Sequence, residues 1–241
     1  MPVTELYVLG RLDLRRDGQP VGHDLLAQSR PTALLIYLAL ANPGYFVRRD
    51  TLATLVWGEL DQESARRNLR KAVHTLRQSL GDDLVESRGD EELGLAQEHF
   101  WCDAVEFIRL SRAGLVEPAL EQYAGELLPA FSAGDAPEFD DWLDRMRATL
   151  AETAATDAWV LARRYEAESR WTGASDWARR AIELGPVDER RLRQMLTLLE
   201  RAGDHASAVR VYENFRRRLE RDYAATPAPE TRELIERIRR G

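Results

Sequence analysis

Hydrophobic and polar residues alternate over the first twenty positions, and this alternation predicts short strands. In LYVLG and RLDLRR, leucine or valine occupies every second position, and Asp17-Gly18 has the composition of a tight turn between strands. We therefore expect two or three short antiparallel strands at the start of the chain.

From residue 31 the hydrophobic spacing changes to that of helices. The run PTALLIYLALANPG predicts a buried helix that begins at Pro31 and ends at Asn42-Pro43-Gly44. Asp50 is a candidate N-cap for a second helix, DTLATLVWGEL. A third helix, ESARRNLRKAVHTLRQSL (63–80), ends at Gly81. Its apolar residues form one stripe at helical spacing: Leu69, Val73, Leu76 and Leu80.

The third helix is followed by LVESRGDEELGLA, which predicts a hairpin around an acidic, glycine-containing turn. After Cys102 only helical patterns remain. We predict a mainly α protein with a small antiparallel β part. Residues 1–103 have the element order of a winged helix-turn-helix, and residues 104–241 form an all-α, tetratricopeptide-like helical domain.

A weak internal repeat supports the tetratricopeptide-like prediction. WTGASDWARRAIEL and HASAVRVYENFRR superpose at a distance of 34 residues, with Trp171 on His205 and Ala174 on Ala208. An earlier copy begins at PALEQYAGELL. This period is that of tetratricopeptide repeats, whose small residues allow two antiparallel helices to pack closely.

The third helix differs in charge from the rest of the chain. The chain has a formal net charge of −7, yet residues 63–80 contain five cations and one acid. Lys71, within this segment, is the only lysine of the chain. An acidic protein with one local basic surface does not coat nucleic acid indiscriminately, but it retains a surface that can bind an anion.

A helical projection places this charge opposite the apolar stripe. Arg67, Lys71, His74 and Gln78 fall at the opposite pole, where their groups suit phosphates and major-groove base edges. The alternative is that this charged face is only solvated and binds nothing. The arginine-bearing hairpin favours DNA binding, because Arg88 can enter the adjacent minor groove. The candidate DNA-binding residues are Arg66, Arg67, Asn68, Arg70, Lys71, His74, Thr75, Arg77 and Arg88.

A second arginine-rich segment near the C-terminus gives a useful contrast. Residues 213–240 contain eight cations and six acids, interleaved at spacings that allow ion pairs within a helix. We expect that segment to be a paired, solvated surface. The segment 63–80 contains no such neutralising partners, so it is the better candidate for an anionic ligand.

These segments resemble a known family. LYVLGRLDLRRDGQPV, RPTALLIYLALANPGYFVRRDTLATLVWGE and SARRNLRKAVHTLRQSLGDDLVESRGD resemble the OmpR-type winged helix of the Streptomyces antibiotic regulatory protein family. PALEQYAGELLPAF, EFDDWLDRMRATL and AGDHASAVRVYENFRRRLERDYAATPAPETREL resemble the bacterial transcriptional activation domain that follows it. The resemblance is collinear over essentially the whole chain.

The resemblance implies a transcriptional activator that binds direct repeats of double-stranded DNA near promoters and recruits RNA polymerase. Tandem sites would also allow two copies to meet as a homodimer on DNA. Carried over by motif, Arg67 and Arg77 would contact phosphates and Arg88 the minor groove. The major groove would be contacted by Lys71, His74 and Thr75, where many relatives have arginines or aromatic residues in place of His74-Thr75.

Other function classes find no support in the sequence. Walker, Gly-x-Gly-x-x-Gly and Gly-x-Ser-x-Gly motifs are absent, so we expect no enzyme activity and no nucleotide cofactor. The four histidines are far apart and Cys102 is the only cysteine, so we expect neither a metal site nor an intrachain disulfide. The strands begin at about residue 5, which leaves no room for a preceding receiver domain.

Location and the alternative function follow from simpler features. The longest apolar run, residues 33–41, is too short to span a bilayer, and the N-terminus lacks a signal peptide. We therefore expect a cytoplasmic protein with no membrane partner. The tryptophans near residues 142–177 are expected to be core rather than pocket residues. The alternative function is a tetratricopeptide-type protein–protein adaptor whose winged helix does not bind DNA.

Overall fold

The computed structural model describes residues 3–41 and 44–240, and within them every strand lies before residue 103. Contacts divide the chain into two units, Met1–Leu150 and Ala151–Gly241. The division falls inside one long helix, Pro137–Ala167. Within the described ranges, no helix is both long enough and apolar enough to span a membrane.

The first sheet contains the strands predicted at the N-terminus. Asp17 and Gly18 form the turn between the second and third strands, with φ of 51° and 74°, as expected for a tight hairpin turn. The fourth strand pairs in parallel with the first, and the sequence analysis did not predict it. The strands are β1 Thr4–Tyr7, β2 Asp13–Arg16, β3 Gln19–Pro20 and, at the end of the winged helix, β7 Phe100–Cys102.

The second sheet contains the predicted hairpin and one further short strand. β5 and β6 pair antiparallel from Val85↔Leu95 to Arg88↔Glu92. A two-residue strand, β4, adds to the other edge of β6. The bounds are β4 Val47–Arg48, β5 Val85–Arg88 and β6 Glu92–Leu95.

Four helices lie among these strands in the order expected for a winged helix-turn-helix. The long hydrophobic helix begins at Ser29, two residues before Pro31, and ends at Leu40. Of its predicted stop signal, Asn42 and Pro43 lie outside the described residues. The bounds are α1 His23–Leu26, α2 Ser29–Leu40, α3 Arg49–Trp57 and α4 Gln62–Leu80.

The prediction that Asp50 caps the second predicted helix is wrong. The N-cap position of α3 is Arg48, which makes no side-chain cap. Arg48 belongs to β4 and pairs with Glu92, and the Arg49 N–H donates to the Glu91 carbonyl oxygen at 2.8 Å. The backbone is therefore extended up to Arg48, so the N-cap position lies two residues earlier than predicted and Asp50 lies in the first turn of the helix.

The apolar stripe of α4 is confirmed. Leu69, Val73, Leu76 and Leu80 are all buried. Asp61 caps the helix, because its carboxylate accepts from the Ser64 N–H at 3.0 Å. At the other end Gly81 has a φ of 100°, a backbone conformation that disfavours other residues. Burial of the stripe fixes which side of α4 remains free.

The first unit continues beyond residue 102 because later segments pack on its first strand. The buried Asp103 carboxylate accepts from the N–H groups of Val8 and Leu9 at 3.0–3.1 Å and of Ala104 at 2.7 Å. Burial raises the pKa of Asp103, which these hydrogen bonds oppose. Burial also raises the pKa of Cys102 to about 12. The helices here are α5 Asp103–Arg112, α6 Val116–Gln122 and the first part of α7 Pro137–Ala167.

The segment after α6 also pairs with the end of β1. The Leu128 N–H donates to the Val8 carbonyl oxygen at 2.7 Å, and the Gly10 N–H to the Glu126 carbonyl oxygen at 2.8 Å. A Cβ at Gly125 would lie 2.9 Å from the Gly10 Cα, so only glycine permits this approach. The N-terminal sheet is thus held by residues more than a hundred positions later.

The described residues of the second unit form helices joined by short loops, and the 34-residue repeat is confirmed there. Trp171 and His205, which superpose in the repeat, are the first residues of two helices. The superposed Ala174 and Ala208 are fully buried. The helices are the rest of α7, then α8 Trp171–Leu184, α9 Glu189–Arg201, α10 His205–Tyr223 and α11 Pro229–Arg240.

The four tryptophans predicted to be core residues differ in burial, and the most buried of them, Trp159, also lines a cleft. Trp159 is 6% exposed, whereas Trp171 is 37% exposed. Trp142 and Trp177 are half-buried. The helical spacing around Trp171 and Trp177 does not distinguish a packed face from a half-exposed one, because an indole has both apolar and polar edges.

Candidate nucleic-acid interface

The free side of α4 has the composition that the helical projection predicts. Arg67, Lys71, His74 and Gln78 are all exposed. Asn68 and Thr75 are half-buried beside them, and the Thr75 hydroxyl donates to the Lys71 carbonyl oxygen at 3.1 Å. One helix face therefore offers cations and hydrogen-bonding groups to solvent, side by side.

Three residues on or beside this face of α4 have no ionic partner among the described residues. The side chains of Arg70, Lys71 and His74 make no hydrogen bond or ion pair within residues 3–41 and 44–240. The Arg67 guanidinium donates only to the neutral Ser64 hydroxyl, at 3.1 Å. Arg67, Arg70 and Lys71 therefore form no ion pair with a carboxylate within the described residues, although the charge of Arg67 contributes to the lowered pKa of Asp61. This face can attract a polyanion.

Arg66 differs from these residues, and the prediction that segment 63–80 lacks neutralising partners is wrong for it. Its guanidinium donates to both oxygens of the Asp50 carboxylate, at 2.8 and 3.0 Å. This hydrogen bond lowers the pKa of Asp50 and raises that of Arg66. The partner comes from α3, which a count of charges within the segment could not detect.

Arg77 connects α4 to the hairpin. Its half-buried guanidinium donates to the Val85 carbonyl oxygen at 2.9 Å and to the Ser87 hydroxyl at 3.0 Å. Neither acceptor is charged, so the cation keeps its full charge. Arg77 therefore fixes the hairpin against the end of α4 and brings positive charge to the junction.

Arg88 lies on the hairpin, at the end of β5, and remains largely exposed. Its guanidinium lies over the Phe46 ring, 4.1 Å from the ring centre, and 3.6 Å from the Glu92 carboxylate. Two-thirds of the side chain, 67%, is open to solvent. The aromatic contact and the weak ion pair hold the side chain at the hairpin without covering it.

Sequence analysis missed Arg49. Its guanidinium donates to the Ser87 hydroxyl at 3.2 Å, the same hydroxyl that accepts from Arg77, and its buried Nε has no partner among the described residues. Burial lowers the pKa of Arg49, and the nearby cations Arg77 and Arg70 lower it further. The Arg48-Arg49 pair just before a predicted helix was the available signal, since helix N-termini favour anions.

Most of the C-terminal arginines are neutralised by ion pairs, as predicted. Five of the eight cations in 213–240 form ion pairs, for example Arg216 with Glu213 at 3.0 Å and Arg237 with Glu200 at 3.0 Å. Their charge is balanced locally. Of the two arginine-rich segments compared, the C-terminal one is therefore largely neutralised and the one on α4 is not.

Comparison with known proteins gives an independent result. The sequence model of the family described as the bacterial transcriptional activator domain matches residues 102–239. The regulatory protein AfsR of Streptomyces griseus is 28% identical over 238 residues, which cover 91% of this chain and 23% of that protein. The chain therefore spans about a quarter of the length of this curated relative.

A solved structure is similar in fold. The structure of Mycobacterium tuberculosis EmbR in complex with a low affinity phosphopeptide matches with a TM-score of 0.68 at 21% sequence identity. The match covers 100% of this chain and 66% of that one. This similarity supports a winged helix followed by a helical domain.

Proposed function

The chain belongs to the bacterial transcriptional activator domain family, as its resemblance to the Streptomyces antibiotic regulatory proteins implies, and from this premise we propose that it activates transcription by binding specific DNA. The family makes the chain a transcription regulator. DNA recognition by α4, direct-repeat sites and recruitment of RNA polymerase are the parts that we propose.

The observation that carries the proposal is the difference between the two arginine-rich surfaces. Arg67, Arg70 and Lys71 on α4 form no ion pair with a carboxylate within the described residues, whereas most arginines of α10 and α11 do. We call the exposed face of α4 that carries these three residues the cationic ridge. An unneutralised surface of this kind in an otherwise acidic protein suits the closely spaced phosphates of a duplex. The ridge is also a helix, the element that the major groove admits.

We assign roles by position on that ridge. Arg67 and Arg70 contact phosphates, while the exposed Lys71 and His74 near the middle of the face contact base edges. Arg88 contacts the minor groove, where the hairpin presents its largely exposed guanidinium. Thr75 and Asn68, half-buried beside this face, make secondary contacts.

Around the ridge, three more arginines complete the proposed surface. Arg77 and the previously unassigned Arg49 supply phosphate contacts at the junction with the hairpin. Arg66 contributes less because Asp50 already neutralises it.

The helical half supplies the protein contacts in this proposal. The family match begins at residue 102, close to the boundary at 103/104 that we propose between the DNA-binding and activating functions. On direct repeats, two copies would be held near one another, and the helical half would contact RNA polymerase or the second copy.

Selection from a random duplex pool tests DNA recognition. The purified chain is incubated with the pool, bound duplexes are recovered over several rounds, and the enriched sequence is measured by gel shift against a scrambled duplex. We expect an enriched motif that occurs twice in the same orientation. No enrichment over the scrambled duplex would contradict the proposal and would favour the adaptor function.

Activation is tested separately by transcription in vitro from a promoter carrying the selected repeats. We expect added chain to increase transcript yield, and one repeat to be less effective than two. A chain that binds the repeats but leaves transcript yield unchanged would retain the DNA-binding proposal and remove the recruitment proposal.

A further inference from the structure

The second unit contains a cleft that has no part in the proposed DNA interface. It lies between the C-terminal half of α7 and α9, with a volume of about 390 Å³. Trp159, Ala162 and Leu198 form its apolar wall, and all three are buried. The remaining lining is polar and mostly arginine.

The cleft is strongly cationic. Four arginines line it against one acid, Glu166, which is paired with Arg201 at 2.7 Å. Arg190 is exposed, and its side chain has no partner within the described residues. The Arg163 guanidinium donates only to a backbone carbonyl, that of Trp159, at 3.4 Å. Positive charge at Arg163 and Arg190 is therefore uncompensated on both sides of the cleft.

The fourth arginine is held in place rather than free. The Arg193 guanidinium donates to the Thr231 hydroxyl at 2.9 Å and lies 3.8 Å from the Glu189 carboxylate. It is half-buried, so it forms a fixed part of the wall. The cleft thus combines one positioned cation with two adaptable ones.

Trp159, which forms part of the apolar wall, carries an unsatisfied donor. The indole Nε1 of Trp159 is buried and has no hydrogen-bond acceptor within the described residues. Leaving a buried N–H unpaired costs roughly 1–3 kcal/mol, so such groups usually have a partner. Because Nε1 is closed to a water-sized molecule, a ligand in the cleft would become its acceptor only after the indole turns toward the cleft.

We propose that this cleft binds a small organic anion, with a carboxylate or phosphate group facing Arg163 and Arg190 and an apolar body against Trp159 and Leu198. The volume lies at the lower end of the range for ligand sites, which is roughly 300–1,000 Å³. It accommodates one small molecule or a few side chains. The limited volume and the apolar wall favour the compact ligand over an extended acidic segment.

Phenyl phosphate is a suitable probe because it carries a dianionic group on one apolar ring. The six tryptophans give separate indole N–H signals in a proton–nitrogen NMR spectrum, and a Trp159→Phe variant identifies the signal of Trp159. We expect that signal to shift saturably with phenyl phosphate, with a Kd on the order of 1 mM. Phenol, which has the same ring without the charge, should not produce a saturable shift.

Two arginine variants separate the cleft from general charge effects. Arg190→Gln should weaken binding of phenyl phosphate at least about threefold. The matched control is Arg232→Gln, an exposed arginine on α11 whose side chain also lacks a partner in the described part of the chain. It removes the same charge outside the cleft, so the affinity should not change.

Several results would overturn the proposal. These are an unmoved Trp159 signal, equal shifts with phenol, equal losses in both arginine variants, or binding of an acidic peptide without binding of phenyl phosphate. The arginine variants leave all six indoles in place, so their spectra report folding directly. The comparison of Arg190→Gln with Arg232→Gln therefore tests the cleft even if Trp159→Phe does not fold.

Discussion

The salt dependence of DNA binding is the sharpest consequence of the α4 surface. Each phosphate that a cation neutralises releases condensed counterions, so the logarithm of the affinity falls with the logarithm of the salt concentration with a slope of about −0.9 per contact. The perturbations are a salt titration and the variant Arg70→Gln. The assay is fluorescence anisotropy of a labelled duplex carrying the selected sequence.

The number of unpaired cations in the structure sets the expected slope. The four proposed phosphate contacts, Arg67, Arg70, Arg77 and Arg49, form no ion pair with a carboxylate within the described residues, and Lys71 adds a fifth unpaired cation on the same face. Arg66 is excluded because Asp50 holds it. Four to five contacts give a slope of roughly −3.6 to −4.5. Raising salt from about 50 to about 200 mM should therefore weaken binding roughly 150- to 500-fold.

Arg70→Gln should make that slope shallower by about 0.9, because one phosphate contact is lost. The matched control is Arg216→Gln on α10, since Arg216 is already ion-paired with Glu213 at 3.0 Å. Its slope should equal that of the unaltered chain. A slope shallower than about −2, or equal changes in the two variants, would refute the assignment of α4 as the DNA-contacting surface.

Four further predictions address single features. Lys71→Ala or His74→Ala should change the sequence enriched from a random duplex pool, and an unchanged motif in both would remove the base-contact roles. Asp50→Asn should tighten binding to non-specific duplex in gel shifts, because it releases Arg66 from its ion pair; unaltered affinity would contradict this. Cys102, buried with its pKa raised to about 12, should not react with Ellman's reagent at mildly alkaline pH until denaturant is added, and rapid native labelling would contradict its burial. Asp103→Ala, which leaves the N–H groups of Val8 and Leu9 just after β1 without their acceptor, should lower the free energy of unfolding by about 2–4 kcal/mol in urea titrations followed by tryptophan fluorescence.

Local patterns were sufficient to predict much of the fold. The stripe from Leu69 to Leu80 predicted both the buried side of α4 and the composition of its free side, because helical geometry alone relates the two. The Asp17-Gly18 turn and the hairpin at 85–95 were likewise set by neighbouring residues. These are features for which sequence spacing and spatial spacing coincide.

What the sequence did not reveal depends on residues that are distant along the chain. Asp50 was predicted as a cap because nothing near it showed that β4 would keep the backbone extended, or that Arg66 would reach it across two helices. Arg49 was missed because its significance comes from Arg77 and Ser87. Pairings of this kind become visible only once the elements are packed.

The parallel pairing of β1 with β7 also determines the order in which this protein can be built on the ribosome. Thr4 cannot pair in the sheet until its partner Phe100 has been synthesised, and the Val8 N–H has no acceptor until Asp103 follows. At synthesis rates of about 5–20 residues per second, the delay is roughly 5–20 seconds. During that interval the edge of β1 that β7 later covers is exposed and able to pair with another chain, so incorrect strand pairing is favoured at this stage of synthesis.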